Sequence, residues 1–147
     1  MEKNNFEQFI KRSNIFGTKL QSFAPIILRI SISLVFLYFG INQMINPLNF
    51  IGYLPEEISL IPISQTTFVI INGGFEVYFG ALLFIGLYTR LSALLLGLHL
   101  FAIAKTIGFN QVGVRDFGLS MASLAVALYG KDNASLDKFF LRRKLSN

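Results

Sequence analysis

Cysteine is absent from this chain. That removes a transmembrane thiol-disulfide relay, a haem held by thiolate and an iron-sulfur cluster held by cysteine, so any redox chemistry has to be borrowed. Histidine occurs once. With the two carboxylates of the apolar region it supplies too few ligands at helical spacing for a metal site, and no haem or flavin site is evident. Charge is scarce too: 14% of the residues are Asp, Glu, Lys or Arg, against about 25% in a soluble domain. The first apolar segment lacks a small-residue cleavage pattern such as A-x-A, so a cleaved signal peptide is not expected and the segment reads as a retained helix.

What fills the chain instead is apolar sequence, 53% of 147 residues, with a mean hydropathy of +0.57. Four windows stand out, at Ile26 to Ile45, Phe68 to Tyr88, Leu91 to Phe109 and Val112 to Tyr129. A helix needs roughly 20 residues to cross a bilayer, so they predict an all-α, integral membrane four-helix bundle forming one domain over residues 1–147. The fourth window is the weakest, because Arg115 and Asp116 leave only Phe117 to Tyr129 uninterrupted. Half a span is the alternative there; four full spans fit better.

Basic residues sort along the chain. Lys3, Lys11, Arg12 and Lys19 precede the first window, Arg90 separates the second from the third, and Lys131, Lys138, Arg142, Arg143 and Lys144 follow the fourth. Between positions 46 and 67 there is no Lys or Arg, only Glu56 and Glu57. The positive-inside rule then places both termini in the cytoplasm and the 46–67 connection outside, in a multi-pass protein of the cell (plasma) membrane. The net charge of +5 is accounted for by orientation and by attraction to anionic membrane lipid, without a nucleic-acid partner. Within residues 1–24, Phe6, Phe9, Phe16, Leu20 and Phe23 gather on one side at 100° per residue and Lys11, Arg12 and Lys19 on the other, the pattern of an N-terminal amphipathic interfacial helix. Residues 131–147 read as a basic cytoplasmic tail. The outer connection is apolar for a loop, and Leu48 to Leu54 is expected to form a short helix or hairpin folded over the outer end of the bundle.

Each span concentrates its polar and small residues on one face. On the first, Arg29, Ser33, Gly40 and Gln43 share a face about 80° wide. On the second, Asn72, Glu76 and Gly80 follow at four-residue intervals; on the third, Ser92, His99 and Thr106 at seven; on the fourth, Asp116, Ser120, Ser123 and Ala127 line up. Small residues permit close helix packing and hydroxyls bond between helices, which suffices for the serines, the threonine and Gly80. Ionisable groups ask for more, because a charge inside a membrane is expensive and marks a site, a partner or water.

By depth, at about 1.5 Å per residue, Gln43, Glu76, Lys105, Arg115 and Asp116 all belong to the outer half, where one cavity could gather them, with His99 near mid-membrane at its floor. Arg29 lies near the cytoplasmic end, where a long side chain snorkels. Two accounts of the outer cluster compete. In one, Glu76 and Asp116 balance Lys105 and Arg115 in a polar knot that pins the helices together. In the other, the cluster is a pocket for an amphiphile with a polar head, such as a quinone, whose carbonyls accept hydrogen bonds while carboxylates handle protons. His99 reads either as a structural histidine or as a proton-relay or ligand residue.

The stretch NGGFEVYFGALLFIGLYTRLSALLLGLHLFAI resembles the DoxX and DoxX-like membrane proteins, whose second span carries G-x-x-E-x-x-x-G-x-L-L-x-x-G-x-x-T-R and runs into an alanine- and leucine-rich third. Arg29 and Gly40 in LRISISLVFLYFGINQM, and VRDFGLSMASLAVALYG near the end, look like the family's first and last spans, so the similarity extends over about residues 25 to 130. The matching polar positions are Arg29, Glu76, Arg90, Arg115 and Asp116. The resemblance implies a four-helix membrane protein from a family associated with quinone-reducing thiosulfate oxidoreductase or a terminal quinol oxidase, working beside a second subunit or as a homo-oligomer. The expectation is a quinone-linked oxidoreductase subunit in which Glu76 transfers the proton, Asp116 assists, and Gln43, His99, Lys105 and Arg115 bind the ligand. A non-catalytic lipid- or partner-binding module and a small-molecule or proton transporter are the alternatives.

Overall fold

The computed structural model describes residues 20–55, 58 and 62–145. Its regular structure is all helical, with no strand among the described residues. Four long helices are apolar enough to cross a membrane: α1 (Ala24–Ile45), α2 (Gln65–Ile85), α3 (Thr89–Ile107) and α4 (Gln111–Tyr129). A seven-residue 3-10 helix, Pro47–Tyr53, follows α1, and a short α5 (Leu136–Leu145) follows α4. α1 packs chiefly on α2 and α3 on α4, and the two pairs close on each other through α2 with α3 and α1 with α4.

The fourth window, the weakest in sequence, is an unbroken helix of 19 residues. Asn110 starts it by accepting hydrogen bonds from the backbone N–H groups of Val112 and Gly113, each at 3.0 Å. The second span runs three residues earlier than its apolar window. Ser64 accepts from the Thr67 N–H at 3.0 Å, so the polar turn Gln65 to Thr67 is already helical. Gly86, at φ 73°, ends it in a left-handed turn closed by Leu87 N–H to Leu82 O at 2.9 Å, a stop that a side chain would disfavour.

Buried positions recur every three or four residues, as one face of a helix requires. Ile32, Phe36, Leu83, Leu96, Leu100 and Val126 form the apolar core between the helices. Other large side chains, such as Leu34, Tyr38, Ile71, Tyr78, Leu98 and Leu128, point outward, which suits a bundle whose solvent is lipid. α1 and α2 touch backbone to backbone: a methyl group added to Gly73 would lie 2.6 Å from the Gly40 carbonyl oxygen, and one added to Gly40 would lie 2.7 Å from that of Gly73. The interfacial helix expected at Phe6 to Phe23 lies outside the described residues save for Leu20 to Phe23, where Leu20 and Phe23 are exposed. The short helix expected at Leu48 to Leu54 is present as the 3-10 segment.

Candidate functional site: a polar cavity with a carboxylate-imidazole pair

The Gly40–Gly73 contact brings α1 close enough for a short amide to reach the carboxylate one turn along α2. Gln43 Nε2 donates to Glu76 Oε2 at 2.9 Å, while Asn72 Nδ2 donates to Glu76 Oε1 at 3.2 Å and to Gln43 Oε1 at 2.6 Å. Glu76 is 3% exposed, and each of its oxygens is met by a neutral amide rather than by a cation. Its nearest basic atom is His99 Nε2, 3.6 Å from Oε1. That distance is too long for a hydrogen bond, and the imidazole nitrogen is buried with no partner. The His99 ring lies against Phe75, with centroids 4.8 Å apart.

Across the same space, Asp116 on α4 accepts from Arg115 Nε and Nη2, both at 2.7 Å. Asp116 is buried, whereas the Arg115 side chain is 46% exposed and stacks over Phe39 at 4.9 Å. Arg115 therefore pairs with its chain neighbour and makes no ion pair with Glu76.

Gln43, Asn72, Glu76, His99, Arg115 and Asp116 all line one cavity of about 510 Å³. Its walls are apolar, from Phe36, Phe39, Val69, Leu100, Ile103 and Leu119, and Phe50, Tyr53, Leu54 and Ile58 of the connection after α1 border it as well. Ligand sites typically enclose about 300–1,000 Å³, largely apolar with a few fixed polar groups. The polar residues thus form two bonded groups, Gln43 with Asn72 and Glu76, and Arg115 with Asp116, that border one open space instead of pairing with each other. Lys105 is the exception to the expected convergence. It is exposed and does not line the cavity, because six residues beyond His99 is about 240° round the helix, whereas Ala102, Ile103 and Thr106, at three, four and seven residues, return to the His99 side. The balanced four-charge knot consequently does not form.

A second polar cluster, at the opposite end of the bundle, was not legible in the sequence. Arg29 does not snorkel: it is 2% exposed, and its Nε donates to Asp132 Oδ2 at 2.6 Å. Its Nη1 donates to the carbonyl of Leu83 at 2.8 Å and to that of Phe84, so one guanidinium joins α1, the end of α2 and the segment after α4. Asp137 then accepts from the backbone N–H groups of Tyr88 and Thr89, at 3.0 and 2.8 Å, capping α3. Arg90 is exposed and lies across Gly130, where an added methyl group would collide with its Nε. The available signal was that Asp132 and Asp137 are the only acids after α4, in a segment otherwise read as basic.

The family model described as DoxX matches residues 24–109. That stretch comprises α1, the connection after it, α2 and α3, and so contains Arg29, Gln43, Asn72, Glu76, Arg90 and His99; Arg115, Asp116 and the rest of α4 fall beyond the match. No curated protein and no solved structure matches the chain.

Proposed function

Since the chain belongs to the DoxX family of multi-pass membrane proteins, we propose that it is a quinone-linked oxidoreductase subunit whose cavity receives a quinone-type head group. The observation that carries this reading is the Glu76 carboxylate beside His99, whose buried Nε2 has no hydrogen-bond partner, both residues lining an apolar-walled cavity of about 510 Å³. A flat-ringed amphiphile with a polar head offers the polar lining partners and the phenylalanines a surface. A bound quinone supplies the two-electron chemistry, with the electrons delivered by a donor or partner subunit. This chain's residues bind and orient the head group and manage its protons. Glu76 takes or gives the proton, His99 relays it or donates a hydrogen bond, and Gln43 and Asn72 fix the carboxylate so that it meets the ligand without reorganising. The Arg115–Asp116 pair borders the same space and supplies a cation for a developing oxyanion. Lys105, outside the cavity, takes no part.

Protein extracted in mild detergent should carry isoprenoid quinone detectable by mass spectrometry. A short-chain quinone at about 100 times its Kd should stabilise the bundle by about 2.7 kcal/mol. Glu76→Gln keeps the side-chain shape and should bind the head group while lowering quinone turnover of the assembled complex roughly 10²-fold or more. Absence of quinone together with no stabilisation on adding it overturns the proposal. Stabilisation by lipids and quinones alike, with turnover of any partner indifferent to Glu76→Gln, makes the chain a non-catalytic amphiphile-binding module.

A further inference from the structure

We infer that α5 is an interfacial anchor that engages the anionic phospholipid headgroups of the leaflet at the Arg29–Asp132 end of the bundle. None of its ten residues is buried. At 100° per residue Leu136, Phe139 and Phe140 share one side with Arg143 among them, whereas Leu141 and Leu145 fall on the other side with Lys138 and Arg142. Five apolar and four cationic side chains on ten residues match a headgroup layer, which offers phosphate oxygens beside acyl carbon. Leu136, Phe139 and Phe140 dip, and the long basic side chains reach back to the phosphates.

The position of the helix supports that occupant. Phe23, Tyr88 and Tyr129, at the same end of the spans as α5, are 56%, 64% and 57% exposed, which marks the aromatic zone of a membrane interface. Lys131 and Arg90 are exposed there too. The first turn of α5 is bolted to the bundle: Asp137 N–H donates to the Gly86 carbonyl at 3.0 Å while its carboxylate caps α3. The last turn, with Arg142, Arg143 and Lys144, makes no such contact among the described residues. A fixed root and a free basic tip hold the helix at the level of the headgroups. This anchor stands apart from the cavity and does not depend on the quinone reading.

The lack of cysteine makes the test direct. Full-length Phe140→Cys protein, labelled with a polarity-sensitive fluorophore, is reconstituted in nanodiscs of zwitterionic lipid or of zwitterionic lipid with anionic phosphatidylglycerol. The label should shift to the blue in the anionic discs and return towards its zwitterionic value at about 1 M salt, where the screening length falls to about 3 Å. Adding R142Q, R143Q and K144Q should abolish the lipid-dependent shift, whereas R142K and R143K should preserve it. On the unlabelled wild-type chain, trypsin cleavage after Arg142 to Lys144 should slow at least fivefold in anionic discs. A label that reports water in both discs, with equal trypsin cleavage, overturns the inference. Protection that appears only in native membranes and not in anionic discs overturns it as well, in favour of a protein partner.

Discussion

Arg29 and Asp132 meet at 2.6 Å with side chains 2% and 0% exposed, and the guanidinium also serves two carbonyls at the end of α2. Removing one partner strands the other charge away from water. Breaking such a pair typically costs about 3–5 kcal/mol, while an apolar replacement of both partners is far milder. Asp132→Ala should therefore destabilise the bundle by about 3 kcal/mol or more. The double variant Arg29→Met with Asp132→Leu should recover part of that loss, limited by the Leu83 and Phe84 carbonyls it leaves unmet. Denaturant titration in detergent measures both; a double variant less stable than Asp132→Ala would show that the ion pair is not what Asp132 contributes. At the other end Glu76 is satisfied by neutral amides, and a histidine stands just outside bonding range. Asp132 is thus locked to a cation, and Glu76 is poised beside an open space.

Between elements, the site depends on how closely α1 and α2 approach. Gly40 and Gly73 face each other's carbonyl oxygens, so there is no room for a side chain on either, whereas Gly74, next along α2, has nothing within 4 Å of an added methyl group. Gly73→Ala should cost about 1–3 kcal/mol through overpacking and weaken quinone binding, because separating the helices draws Gln43 away from Glu76. Gly74→Ala should be neutral or slightly stabilising through helix propensity. Thermal denaturation paired with quinone titration checks both; equal behaviour of the two variants would deny the contact its role. The connection after α1 shows the same dependence of site on packing. Its apolar residues, odd for a loop in sequence, border the cavity through Phe50, Tyr53, Leu54 and Ile58.

For the whole molecule, the distribution of Lys and Arg predicts both termini in the cytoplasm and the cavity end outside. Leu48 is 74% exposed beside the cavity and Asn133 is exposed beyond α4. In intact cells a membrane-impermeant thiol reagent should label Leu48→Cys and spare Asn133→Cys, and the reverse pattern would invert the topology. The four spans, the polar faces and the common level of Gln43, Glu76 and Asp116 along the bundle were legible because hydropathy and helical phase are local properties of the chain. Phase also predicts the fate of Lys105, which helix depth alone misplaces: depth is one coordinate, and the angle around the helix decides whether a side chain meets the cavity or the exterior. The sequence alone determined a membrane bundle with one intramembrane carboxylate on α2, since burying apolar length in lipid follows from composition and periodicity. Only the tertiary structure decided that Arg29 is held by Asp132, that Arg115 pairs with Asp116, and that Glu76 and His99 border a cavity. Those pairings join residues as far as 103 positions apart or choose among neighbours, and both depend on which faces close packing brings together.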